Sequence, residues 1–355
     1  KGEAGTGKSF IISTIVSYLR RMFNDNDVVH VTAPTGMAAF NVLGETLHRF
    51  AGLDWQNMKK EMSKKTQEQL QKKLQNTIAI LMDERSMLSQ MILGLTEKAI
   101  ARTAHECGHS SEDWGGIPVI VLFGDDYQLP AIGDLGATNI PQLNNKTSSK
   151  GINDMKRCQG GLQFLNLSEE VMELDQVVRQ TEDQVFFKSI LQRLRLGWMT
   201  EEDEARMRVL TLDDDNYTQQ EIKDISQGAL HLYATHQPKN AHNEEMLRKT
   251  VTEDNPLAVI KCKDETSSKN NNSISKHLNK TYNMRKTMLC RDAMVELSKT
   301  NIQPKWGLYN GAIGNVVDII FREGENPNNK NLPLVVIVDF KHYRGPVWDT
   351  QNPTH

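Results

Sequence analysis

The chain of 355 residues is 38% hydrophobic and 25% charged, which fits a soluble globular protein of about two domains. No apolar run approaches the roughly 20 residues that cross a bilayer, which argues against a membrane-spanning role. A net charge of −3 and a pI near 6.4 exclude a histone-like or tail-driven nucleic-acid binder, so any such contact has to come from a local groove.

The elements follow in chain order. Apolar residues at Phe10, Ile11, Ile15, Tyr18, Leu19 and Met22 recur at helical spacing and predict a helix over 9–23, ended by Asn24 to Asp27. Val28 to Val31 reads as a short buried strand, followed by a loop at Thr32 to Gly36 and the start of a small-residue helix. That β-α alternation predicts a parallel sheet. Residues 54–76, with Lys59, Lys60, Lys64, Lys65, Lys72 and Lys73 among Gln and Glu, read as a solvated helical insertion with no clear core stripe; a lysine-rich subdomain that touches phosphates is the competing reading. Thr77 to Met82 and Ile117 to Phe123 are apolar throughout and end in acidic residues, so their carboxyl ends are expected to line a site.

Residues 139–161 turn polar, as a surface excursion does, and Val185 to Leu196 returns to helical spacing. Ala229 to Ala234 reads as a strand of a second α/β unit, and Lys263 to Lys280 as a long flexible loop. Ile313 to Phe321 and Leu334 to Phe340 predict strands of a small β element, and no internal repeat is present. Cys107, Cys158, Cys262 and Cys290 lie far apart with no C-x-x-C pair, which favours a reducing compartment over a disulfide framework. His105-Glu106-Cys107-Gly108-His109 gathers three candidate zinc ligands but lacks a fourth at standard spacing, and reads as a polar loop.

The strongest motif is Gly2-Glu3-Ala4-Gly5-Thr6-Gly7-Lys8-Ser9, a full match to G-x-x-x-x-G-K-[ST] directly ahead of a helix. Its glycines let backbone N–H groups close around phosphate oxygens at a helix N-terminus. Gly5, Thr6, Gly7, Lys8, Ser9 and Phe10 are therefore the nucleotide-binding candidates, with Lys8 reaching the β and γ phosphates and Ser9 coordinating Mg2+. The chain opens at Lys1-Gly2-Glu3, and a phosphate loop normally follows a core strand, so the sequence reads as clipped at its N-terminus. Asp83-Glu84 closes an apolar strand; Asp83 is expected to hold Mg2+ and Glu84 to act as general base toward water, which favours hydrolysis over binding alone. Gly124-Asp125-Asp126-Tyr127-Gln128-Leu129-Pro130 ends the next strand, where Gln128 can hydrogen-bond the γ phosphate or the lytic water. Together the three motifs point to an ATP-driven motor.

Thr32-Ala33-Pro34-Thr35-Gly36-Met37-Ala38-Ala39, Gly44 to Gly52 with Glu45-Thr46-Leu47-His48-Arg49-Phe50, Asp83-Glu84-Arg85-Ser86-Met87 and the Gln128 segment resemble motifs of the petite-integration-frequency (PIF-one) family of 5'-to-3' DNA helicases. Leu174 to Gln180 with Phe186, Phe187, Leu191, Leu194, Arg195 and Gly197, then Leu232 to His236 with Asn243, and Gly307 to Gly314 extend the resemblance almost end to end. It implies two RecA-like lobes with parallel sheets, at 1–168 with a helical insertion near 51–77, and at 169–355, incomplete, with a small β insertion near 300–345. ATP and Mg2+ would lie between the lobes and single-stranded DNA across both. By the resemblance Arg179 reaches across the cleft to the γ phosphate, and Pro34, Thr35, Gly36, His48, Phe50, Thr235 and His236 face DNA. His48 and Phe50 are candidates for base stacking, against the reading that Phe50 is core and His48 a satisfied buried group.

Two departures stand out: Ala131 replaces a second proline, and Arg85 occupies a usually apolar place. The family's later segments, including a second phosphate-contacting arginine, do not appear before His355, so the chain is expected to be truncated and, as it stands, a poor hydrolase and no processive motor. The complete parent is expected to be a monomeric motor on single-stranded and forked or structured DNA, intracellular, in nucleus or mitochondrion if eukaryotic, serving repair, recombination or telomere maintenance. A nucleotide-switched binding protein and an inactive helicase relic from a mobile element are the alternatives.

Overall fold

A computed structural model describes residues 1–54, 62–106, 112–139, 159–213, 215–226, 229–261, 286–298, 301–325 and 332–347. The chain divides into two compact units, Lys1–Arg208 and Val209–His355.

In the first unit, helix α1 (Lys8–Phe23) leads into β1 (Val29–Ala33), α2 (Gly36–Asn41), β2 (Glu45–Thr46), α3 (Leu47–Phe50), α4 (Lys64–Leu74) and β3 (Ala79–Met82). After β3 come α5 (Gln90–Glu106), β4 (Val119–Leu122), α6 (159–167), α7 (Val185–Leu196) and α8 (Glu201–Arg208). The strands form one sheet in the order β2-β1-β3-β4, every pair parallel, with Val29 opposite Ala79 and Ala79 opposite Val119. All four residues of β3 are fully buried, which is why its sequence is an uninterrupted apolar run. Side chains alternate along it. Ala79 and Leu81 pack with Val29, Val31 and Phe123 beneath Ile12 of α1. Ile80 and Met82 pack on the other face with Phe50, Leu70, Leu74, Leu93, Ile100 and Phe164. Because the strands are parallel, the loops after β1, β3 and β4 emerge along one edge.

The lysine-rich stretch corrects one expectation. Its described part, α4, does have a core stripe: Leu70 and Leu74, one turn apart, are each 1% exposed against α5, while Lys64, Lys65 and Lys72 stay on the outer face. Two leucines among glutamines and lysines leave too faint a period to read in sequence.

The boundary expected at 168 falls inside the first unit. Residues 169–208 stay with it because the backbone of Leu174, Val178 and Arg179 bonds to Lys1 and Gly5.

In the second unit, α9 (Gln219–Ser226) and α10 (His236–Thr250) precede an antiparallel pair, β5 (Ala258–Lys261) with β6 (Lys286–Leu289). A three-stranded antiparallel sheet follows, β7 (Met294–Glu296), β8 (Ile313–Ile320) and β9 (Val335–Phe340), with a register shift between Val316 and Asp318. This is the small β element, closed over Cys290, Ala293 and Val316. Residues 229–234, expected as a strand, form no β ladder among the described residues. Among the described residues of this unit the sheets are antiparallel, not parallel.

Residues 263–280, most of 139–161, and Cys107, Cys158, Cys262 and His109 lie outside the described residues, and Cys290 is a free, buried thiol. Among the described residues no helix is long and apolar enough to cross a membrane, and no three His, Cys, Asp or Glu side chains cluster as metal ligands.

Candidate active site

The opening loop owes its shape to glycine. Gly5 (φ 82°) and Gly7 (φ 88°) occupy the left-handed region, where a Cβ is strained. Gly7 caps α1 with no side-chain bond and no acidic residue in the first turn, so the first amides of the helix face outward, unsatisfied. That is an anion site. Thr6 is buried and donates its hydroxyl to the Glu3 carbonyl at 2.9 Å. Lys8 Nζ curls back to the carbonyls of Gly2 (2.9 Å) and Glu3 (2.8 Å). Ser9 and Phe10 stand exposed in the first turn, Phe10 at 74%.

The acidic pair lies at the carboxyl end of β3. Asp83 is tied to the neighbouring strand by its own amide, which donates to the Thr32 carbonyl at 2.8 Å, and its Oδ1 accepts from the Glu84 amide at 2.9 Å. Oδ2 is left for another partner. Glu84 sits at φ 52°, a left-handed conformation that costs a non-glycine residue about 1 kcal/mol or more. Burial pushes the Asp83 carboxyl above its usual range, against the pull of the Glu84 amide and Lys8. Glu84 is raised as well, by burial first and then by the charges of Asp83 and Asp125. Burial holds Lys8 below the usual lysine range, and the same three carboxylates, Asp125, Glu84 and Asp83, oppose it. These four groups therefore feel one another in a shared, poorly solvated space.

Asp125, one residue past Gly124, is 1% exposed and has both oxygens in use. Oδ1 accepts from the Tyr127 amide at 3.1 Å, and Oδ2 pairs with Arg195 of α7. Burial alone would raise this carboxyl; the Arg195 and Tyr127 bonds, with the Arg195 and Lys8 charges, hold it below its ordinary value. The Arg195 guanidinium lies 4.4 Å from the Tyr127 ring centroid and its Nε is 3.9 Å from a Glu3 carboxylate oxygen. Gln128 is exposed; its amide N–H donates to the Asp125 carbonyl at 3.1 Å, which leaves its side chain at the rim.

Arg179 sits against the phosphate loop within the same unit. The Val178 and Arg179 amides donate to the Gly5 carbonyl at 2.8 and 3.2 Å, and a Cβ on Gly5 would fall 2.6 Å from Arg179 Cβ. Its side chain is exposed beside the loop. A cavity of about 320 Å³ lies elsewhere, at the amino-terminal ends of β3 and β4, lined by Asn76, Thr77, Gly115 and Pro118 among others, and none of the convergent charges borders it.

The family model described as PIF1-like helicase matches residues 1–205. The chain belongs to the PIF1-like helicase family. Its curated relatives include the ATP-dependent DNA helicase RRM3 of Saccharomyces cerevisiae, 30% identical over 224 residues covering 60% of this chain and 27% of that protein. The ATP-dependent DNA helicase PIF1 of Xenopus laevis is 30% identical over 341 residues, 94% of this chain and 45% of that protein. The chain thus spans less than half the length of these relatives. Among solved structures, the Candida albicans Pif1 helicase aligns with TM-score 0.59 at 23% identity over 96% of this chain and 70% of that one. Bacteroides Pif1 in complex with ADP-AlF3 and single-stranded DNA aligns with TM-score 0.55 at 21% identity, over 97% and 68%. At these identities the structural likeness establishes the α/β fold of PIF1-like helicases.

Within that fold, the positions expected to face DNA divide. Thr35 caps α2 with its hydroxyl, which accepts from the Ala38 amide at 3.2 Å, and Pro34 and Gly36 flank it at the edge that carries Asp83. Phe50 is corrected to core: it is 1% exposed, with the His30 ring 5.2 Å and Lys73 Nζ 5.1 Å from its centroid, so no base can stack on it in this arrangement. His48 is half-buried, yet its Nε2 has no hydrogen-bond partner, and burial lowers its pKa. It is therefore not the satisfied buried group of the alternative reading. Thr235 and His236 are exposed at the start of α10 in the second unit. Reading motif by motif passed over the partners that carry charge through space: Asp125, Asp126, Glu3 and the Arg195 side chain. The one available signal was Asp125 beside Asp126 at a strand end.

Proposed function

We propose that the chain is the nucleotide-hydrolysing part of an ATP-dependent DNA helicase. The observation that supports this most is the convergence of Lys8, Asp83, Glu84 and Asp125 at the carboxyl edge of a parallel sheet, beside the free amides of α1. In this reading the loop amides and Lys8 bind the phosphates. Asp83, through its free oxygen, and the Ser9 hydroxyl fit a Mg2+ ion, which would draw charge from the phosphate oxygens. Glu84 accepts the proton of the attacking water, Gln128 orients that water, and Arg179, already against Gly5, stabilises charge on the phosphoryl group.

The relatives' names specify ATP-dependent DNA helicases, and the solved Pif1 structures include complexes with single-stranded DNA. We extend this to the present chain: Pro34, Thr35, Gly36 and His48 of the first unit contact single-stranded DNA, and so do Thr235 and His236 of the second. The parent moves 5' to 3' as a monomer on single-stranded or forked DNA, in nucleus or mitochondrion if eukaryotic, in repair, recombination or telomere maintenance. The lobes expected at 1–168 and 169–355 belong to this reading. The test is ATP hydrolysis with and without single-stranded DNA, beside Lys8→Ala. Stimulation by DNA that vanishes in Lys8→Ala supports the motor. Hydrolysis indifferent to DNA replaces it with a nucleotide-switched binding protein, and no hydrolysis points to the relic.

A further inference from the structure

We infer that Arg85 and Asp126 are paired positioning residues, which brace the Glu84 turn against the Gln128 loop. The inference rests on the reading of this site as a nucleotide hydrolase. Arg85 follows Glu84 directly, and its side chain is only 9% exposed. An arginine this deep is tolerated only where its fork is satisfied. Here Nε donates to Asp126 Oδ1 at 2.9 Å and Nη2 pairs with Oδ2, a bidentate bond between segments 41 residues apart. The guanidinium also lies 5.8 Å from the Phe164 ring centroid, which holds it from the α6 side.

The backbone makes the same connection. The Arg85 amide donates to the Phe123 carbonyl at 2.9 Å, and Gly124 crosses so close that a Cβ there would lie 2.6 Å from Arg85 Cγ. The two loops thus touch directly, and the arginine reaches past Gly124 to the next loop residue but one. On one side of this brace is Glu84, held at φ 52°, a conformation that persists only where neighbours over-determine it. On the other is Gln128, two residues beyond Asp126 with an exposed side chain of its own. Asp125, through Arg195 and the Tyr127 and Gln128 amides, holds this loop from the α7 side, and the Asp126 bond is the side-chain tie from the loop to the Glu84 turn. The phosphate loop meets this region through the Gly2 amide, which donates to the Gly124 carbonyl at 3.2 Å, but Lys8 and Ser9 take no part in the Arg85–Asp126 pair, so the brace acts first on the water's two partners.

The test is a double-mutant cycle in the 355-residue chain: Arg85→Met, Asp126→Asn and both together, with Lys8→Ala as reference. Steady-state hydrolysis of ATP at saturating single-stranded DNA is measured alongside thermal melting. Each single change is expected to lower kcat by about tenfold or more, as a displaced base or water-orienting group does, with KM for ATP within about twofold. The double variant should be no slower than the worse single, because either change alone removes the brace. Asp126→Asn, on a partly exposed loop, is expected to fold, and it decides the question if Arg85→Met does not. Unchanged kcat with intact melting, independent effects that multiply in the double, or a loss of kcat that only follows loss of fold in Asp126→Asn would each overturn the brace. Hydrolysis lost in Lys8→Ala but untouched in Arg85→Met overturns the brace alone; hydrolysis that survives Lys8→Ala overturns the site reading and the brace with it.

Discussion

Replacing Arg195 by methionine strands a carboxylate in the protein interior. Asp125 is 1% exposed, and of its two oxygens only Oδ1 keeps a partner, the Tyr127 amide. Removing one member of a buried pair costs about 3–5 kcal/mol. The Arg195 side chain is 21% exposed and the Tyr127 bond remains, so the expected cost falls to or below the bottom of that range, about 2–3 kcal/mol. For a unit of this size each kcal/mol lowers Tm by about 2–4 °C, giving a fall of about 4–12 °C at pH 7. The pH dependence fixes the cause. In the parent the Asp125 carboxyl is held below its ordinary value, so its stabilisation is present above the unfolded carboxylate pKa of about 3.9 and is lost as pH falls through the lower folded value. In the variant, burial without the guanidinium raises that carboxyl, which then takes up a proton early and sheds its penalty. The gap between parent and variant should therefore be full at pH 7 and close as pH approaches about 4. Arg195→Met combined with Asp125→Asn should recover most of the loss at neutral pH, since no charge is left unpaired. Equal melting at pH 7, a gap constant with pH, or a double variant as unstable as the single would refute this account.

Phe50→Ala should cost about 3–5 kcal/mol by thermal or denaturant unfolding, as truncation of a core aromatic does; unchanged stability together with lost DNA affinity would return the ring to the DNA face. Gln128→Ala should leave stability within about 0.5 kcal/mol because the side chain is exposed, while slowing hydrolysis by about a hundredfold. Activity equal to the parent's in that variant would remove Gln128 from the mechanism. Burial lowers the pKa of His48, so the unfolded chain binds the proton more readily and stability falls as pH drops through about 6.5. His48→Leu, which removes an orphan nitrogen and no hydrogen bond, should melt no lower at pH 7 and show a flatter decline toward pH 5; an unchanged slope would assign that decline elsewhere.

What could be read from sequence is what the backbone demands locally. Gly5 and Gly7 stand where left-handed φ excludes other residues, and β3 is apolar because the parallel sheet is covered on both faces. The phosphate loop, the acidic strand ends and the β element therefore announced themselves. Phe50 did not, because an aromatic within a DNA-contact motif looks the same whether it faces bases or the core. The core stripe of α4 rests on two leucines, and the strand expected at 229–234 forms no ladder, because pairing depends on a partner segment that no single-segment pattern reports. The charge pairs were hidden for a simpler reason: Arg85 meets Asp126 across 41 residues and Arg195 meets Asp125 across 70, distances that only folding closes.

Those long-range pairs bear on how Lys8 is kept ready for a phosphate. Three carboxylates act on its ammonium, and a direct ion pair with any of them would have to be broken before a nucleotide bound. Of these, Asp125, the first in its influence on Lys8, is engaged at both oxygens by Arg195 and the Tyr127 amide, and Asp83 at Oδ1 by the Glu84 amide. Lys8 is left with two neutral carbonyls, Gly2 and Glu3. A charge-assisted bond to a phosphate oxygen is roughly twice as strong as a neutral one, so an arriving nucleotide displaces these carbonyls without first breaking an ion pair. Arg195 thus keeps Asp125 from capturing the cation meant for the substrate.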